Sequence, residues 1–205
     1  MILNPVKQFT TVTVSCFDVP LNVLWQELEL LFVEYRLNVS GDRRQVNFDE
    51  LVPGPLSGGA VSAKGSIFTP GSGSSPATAM ITNLVDGWQT LGAAACGRLG
   101  CACWQFTVSN CERYPRNSFA FIRDGGERRV VSAQLDTQWV FYAKGEILDV
   151  ETESVYRKRR IKDRVTPQYV SSVAEKAGFP IGQDAFWATE KSSVCFVEGE
   201  RRNIR

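Results

Sequence analysis

No histidine occurs in the 205 residues. That absence removes every Ser-His-Asp and Cys-His arrangement, every histidine-ligated metal site, and the side chain whose ordinary pKa lies nearest neutral pH. Catalysis would have to rest on carboxylate pairs, Lys, Tyr, or a thiolate without a histidine base. Long apolar runs are missing too, none approaching the ~20 residues that span a bilayer. Residues 1–14 alternate polar and apolar positions without a basic start and an apolar centre, so no signal peptide is expected. The chain is read as cytoplasmic, with no membrane partner. Phosphate-binding loops are also absent: Gly71-Ser72-Gly73-Ser74-Ser75 lacks the P-loop pattern, and no dinucleotide glycine fingerprint follows a strand. No cofactor is expected.

A charge imbalance is equally lacking. The 23 Lys and Arg residues nearly cancel 22 Asp and Glu. No global field draws the molecule to nucleic acid or an anionic surface, and any electrostatic partner must be read from local patches. What is present is the composition of an ordinary globular chain, 43% hydrophobic and 22% charged. At this length a core forms without staples, burying ~70% of the unfolded surface, and one domain over residues 1–205 is expected.

Residues 8–17 alternate as a half-buried strand, with Val12, Val14 and Cys16 in phase. Asp18 and Pro20 then open a helix at about 20–36, whose Leu21, Leu24, Leu28, Leu31 and Phe32 recur at steps of three and four. Further strands are read at 43–50, 60–69, 77–82 and 101–108, and a second helix at about 84–99 stops at Gly100. Between them, Pro53 to Gly59 is turn-rich, and the Gly/Ser/Pro stretch at 70–76 reads as a flexible loop. A meander follows at about 118–155: a hairpin turning at Asp124-Gly125-Gly126, an aromatic strand over 137–143, and a return strand over 146–155. Thr166-Pro167 caps a third helix, about 167–177, and 194–198 is expected to be an edge strand. The fold class is therefore α+β, a mainly antiparallel sheet packed with two to three helices.

The cysteines Cys96, Cys101, Cys103 and Cys111 follow a C-x4-C-x-C-x7-C spacing, which fits neither zinc knuckles nor ferredoxin ligation. They are read as packed free thiols, with no metal. Cys96 lies late in its helix, where the dipole opposes thiolate formation, so no catalytic nucleophile is assigned.

The strongest charge anomaly is the run Arg157, Lys158, Arg159, Arg160, Lys162 and Arg164, six cations in eight residues. It is a candidate binding surface, but its bland counterpart is a solvated face neutralised by Glu146, Asp149, Glu151 and Glu153 upstream. No nucleic-acid-binding signature accompanies it, so nucleic acid is the weaker alternative and a protein partner the first expectation. Phe186 and Trp187 follow Asp184 in an irregular segment and are candidate contact anchors, a lid over the core being the rival reading.

The expectation is a non-enzymatic protein-binding module whose charged surface neutralises a partner. Small bacterial inhibitor and toxin-neutralising immunity proteins share this character as a class. The alternative is a histidine-independent enzyme using carboxylates or a thiolate on a small molecule.

Overall fold

The computed structural model describes residues 4–51, 63–74, 76–189 and 193–198. The turn-rich residues 53–59 and the start of the strand read at 60–69 lie outside them. In chain order the elements are α1 (Pro5–Gln8), β1 (Thr11–Phe17), α2 (Leu21–Glu34), β2 (Val39–Arg43), β3 (Lys64–Phe68), β4 (Thr78–Thr82) and α3 (Gln89–Leu99). They continue with β5 (Ala102–Ser109), β6 (Arg116–Arg123), β7 (Gly126–Leu135), β8 (Trp139–Lys144), α4 (Pro167–Lys176) and β9 (Ser193–Glu198). Among the described residues, nine strands form one sheet in the order β2-β9-β3-β4-β1-β5-β6-β7-β8. Every pairing is antiparallel, as expected from the alternating segments.

Alternation splits the apolar side chains between two faces. On one, α2 and α3 cover Phe17, Ile67, Met80, Cys103, Ile122 and Phe196. On the other, α4 and the irregular segments beside it cover Val12, Val14, Phe106, Phe119, Val131 and Ala133. Helix α4 starts as its sequence dictates: the Thr166 hydroxyl accepts from the Tyr169 amide at 3.2 Å, and Pro167 occupies the first helical position, where no donor is needed. The β6–β7 turn has positive φ at both Asp124 and Gly125, the geometry that makes Asp-Gly a hairpin dipeptide.

Several elements differ from the sequence expectations. Helix α3 begins at Gln89 rather than 84 because sheet side chains capture the preceding loop. Thr13 donates to the Val85 carbonyl at 2.6 Å and Gln105 to the Asp86 carbonyl at 3.0 Å, holding those carbonyls out of helical bonding. Residues 43–50 supply no strand over their length; β2 ends at Arg43, and 48–51 form a 3-10 turn with Phe48 buried. The expected edge strand at 194–198 is internal, because Val194, Cys195 and Phe196 are apolar toward both faces and pair with β2 on one side and β3 on the other. The 70–76 loop joins two mutually paired strands, and its Gly71 and Ser74 amides donate to the Phe186 and Gly178 carbonyls at 3.1 and 2.9 Å.

The return strand over 146–155 does not form. Gly145 turns the chain at φ +87°, and Arg129 takes the Lys144 and Gly145 carbonyls at 3.4 and 2.8 Å. The segment leaves the sheet, crosses onto the α4 face and ends in a 3-10 turn at 153–157. Strand β8 is thereby left as the sheet edge.

Candidate functional site

The basic run forms a loop between the 3-10 turn at 153–157 and α4, with a second 3-10 turn at 161–163. Apolar residues spaced along it fasten it to the protein: Tyr156 and Ile161 pack on the α4-face core and Val165 is fully buried. Arg157, Lys158, Arg159, Arg160 and Lys162 are exposed, whereas Arg164 is half-buried.

Half of the six cations serve the loop itself. Arg157 pairs with Glu153 and Arg160 with Asp163, at 2.5 and 2.6 Å. Arg164 donates to the Lys158 carbonyl at 2.9 Å while its guanidinium lies 5.1 Å over the Phe141 ring. Lys158, Arg159 and Lys162 have no ion-pair partner among the described residues. Lys158, Arg159, Arg160 and Asp163 line an open depression of about 610 Å3. Two of its lining cations, Lys158 and Arg159, are thus unpaired at an open surface.

Beneath the loop lies a buried charge network that sequence reasoning missed. Arg129, on β7, meets Glu151 in a forked ion pair at 2.9 and 2.7 Å, the side chains 4% and 0% exposed. Glu151 also accepts from the Leu148 amide at 2.9 Å and from the Tyr156 hydroxyl. Tyr169 of α4 donates to the Tyr156 oxygen at 3.0 Å and accepts from the Thr152 amide at 3.0 Å. Every Glu151 lone pair that matters is taken, so this carboxylate orients the segment before the basic loop rather than offering itself to a substrate. A signal was present: Arg129 falls in phase with Val131 and Ala133 on a core-facing row, where a charge demands a buried partner. Glu151 is thus drawn to Arg129 and does not neutralise the basic run.

Burial alone would depress Arg129, but the hydrogen bonds and charge of Glu151 outweigh it and raise its pKa. Tyr156 is pushed far above the ordinary tyrosine value, first by burial and then by its bonds to Glu151 and Tyr169. An unfolded tyrosine titrates near ~10, so the stabilisation tied to the neutral Tyr156 is complete below that pH. Above it, the unfolded chain loses the proton and the folded chain keeps it. The Tyr156 contribution to stability should therefore be lost progressively as pH rises above ~10, and Tyr156→Phe should flatten that part of the slope. Urea midpoints across the alkaline range would measure it; identical alkaline slopes in both proteins would contradict the assignment.

Phe186 and Trp187 are not contact anchors. They are 0% and 1% exposed, in a 3-10 turn at 184–187. The Trp187 indole donates to the Ile181 carbonyl at 2.7 Å and meets Phe48 edge to face at 5.4 Å. Their irregular backbone folds over the core, and the lid reading replaces the contact reading.

A second open groove of about 600 Å3 runs between α1 and α4, lined in part by Asn110, Gln168 and Ser171. Its charged groups are satisfied locally: Lys7 pairs with Asp184 at 2.7 Å, and Gln183 donates to Glu175 at 2.8 Å. All six cysteines are free. Burial raises Cys16 and Cys103 and pushes Cys101 up to about 12, with neighbouring Cys96 adding to it, so these thiols are protonated at neutral pH and not nucleophilic. Among the described residues, no group of three or more Cys, Asp or Glu is placed to hold a metal ion, and no helix is long and apolar enough to cross a membrane.

No protein-family model, curated protein or solved structure matches this chain.

Proposed function

We propose that this chain is a protein-binding module that captures an acidic protein partner through the 157–164 loop, in the manner of a cytoplasmic inhibitor. The observation that carries the reading is the division of labour among the six cations. Arg157, Arg160 and Arg164 brace the loop, which leaves Lys158, Arg159 and Lys162 to a partner. Ordering the loop before binding reduces the entropy lost on association, and unpaired rim cations accelerate encounter with an acidic surface. The six free thiols suit a reducing compartment.

Tagged protein purified from its own host should retain an acidic protein. The double variant Lys158→Glu/Arg159→Glu should bind that protein roughly tenfold or more weakly with an unchanged melting midpoint. Undiminished affinity in the reversed variant would refute the reading. Recovery of RNA or DNA in place of a protein, with binding that weakens steeply as salt rises, would replace it with nucleic-acid binding.

A further inference from the structure

We infer that β8 is a self-association edge, pairing antiparallel with β8 of a second copy of this chain about a two-fold axis through Val140. The inference is independent of what the basic loop binds.

The two edges of the sheet are built differently. Strand β2 is short, exposed and carries Gly41, Asp42 and Arg43, the charged and interrupted character that discourages strand addition. Strand β8 reads Trp-Val-Phe-Tyr-Ala-Lys, uncharged until its last residue. Among the described residues it pairs only with β7. Val140 and Tyr142 are 43% and 49% exposed on the α2/α3 face, beyond the reach of both helices, while Trp139 and Phe141 are half-buried on the α4 face.

Charge selects the partner and the register. A two-fold axis perpendicular to the sheet keeps each side chain on its own face, so paired residues lie equally far on either side of the axis. Centred on Val140, the pairing sets Trp139 against Phe141 of the second copy and Gln138 against Tyr142, with Val140 meeting itself. It also brings Asp136, in the β7–β8 turn, toward Lys144 at the end of the second copy's strand, and does so twice by symmetry. Both residues are exposed and neither has an ion-pair partner among the described residues. Centring on Phe141 would bring Asp136 toward Glu146, a like-charge contact, and centring on Trp139 would leave Lys144 without an acidic partner. Aromatic cross-strand pairs and opposite charges both stabilise an antiparallel ladder, so the Val140 register is the one the sequence supports. The second 3-10 turn of the basic loop packs against β8 on the α4 face, so the two-fold places both basic loops on one side.

Light scattering and sedimentation over a concentration series should give twice the chain mass for the wild-type protein. Asp136→Lys and Lys144→Asp, each a surface change, should separately weaken the dimer by roughly tenfold or more, and the double swap should restore it, because the opposite charges then meet again. A monomer at all concentrations would overturn the inference, as would open-ended polymers, which a closed two-fold does not allow. Dimers indifferent to both single reversals, or a double swap that stays as weak as the single variants, would overturn the register and the inference with it.

Discussion

Replacing Glu151 with glutamine should destabilise the protein by about 3–5 kcal/mol, because it leaves the Arg129 guanidinium charged and enclosed without its counterion. The charge cannot be shed, since arginine stays protonated and its pKa is raised rather than lowered here. Two carbonyls, of Lys144 and Gly145, still accept from Arg129, and they reduce the penalty without removing it. Replacing both partners by apolar residues should recover part of the loss, since a buried ion pair often contributes little beyond the cost of desolvating it. Recovery should be incomplete, because the Leu148 amide and the Tyr156 hydroxyl lose their acceptor. Denaturant unfolding of the two single variants and the double variant closes the cycle, and a coupling near zero would show that the pair is not a unit. The same substitution should loosen the loop at 157–164, since Glu151 holds Tyr156 just before it.

Trp187→Ala should cost about 3–5 kcal/mol, the range for deleting a buried aromatic side chain. The indole is enclosed by Phe48, Phe68 and Phe186 at centroid separations of 5.4, 5.8 and 5.1 Å. Trp187→Phe keeps most of that volume but leaves the Ile181 carbonyl without its donor, and should cost about 1–3 kcal/mol. An exposed contact anchor would behave in the opposite way, weakening a partner while leaving the melting midpoint in place. Thermal unfolding of both variants separates the two cases.

Local signals in the sequence reached as far as local chemistry does. The Thr166-Pro167 cap, the stripe Leu21 to Phe32, the Asp124-Gly125 turn and the Gly100 stop each act within a few residues, and each stands where the pattern puts it. The α+β class and the antiparallel sheet follow from them. Where the reading departs from the structure, a long-range bond decides the outcome. Thr13 and Gln105 shorten α3 from strands remote in sequence, and Arg129 draws the 146–155 segment off the sheet across more than a dozen residues. The basic loop was legible as six cations, but which were committed internally was not, because Arg164 over Phe141 is a tertiary contact. Phe186 and Trp187 lie in irregular backbone with no period to report their burial, so pattern alone could not tell a lid from an anchor.

The position of β9 bears on how the chain is made. Strands β2 and β3 belong to the first third of the sequence, yet they do not pair with each other; β9 lies between them. A ribosome releases those two strands long before residues 193–198 exist. Throughout that interval the apolar underside of α2, with Leu24, Leu28 and Phe32, lacks the Phe196 and Val194 side chains that complete its floor. Contacts this distant in sequence form slowly, and unpaired strands with exposed apolar surface attract aggregation or chaperones. Pairing at this end of the sheet must therefore come late in synthesis, because among the described residues β2 has only β9 to pair with.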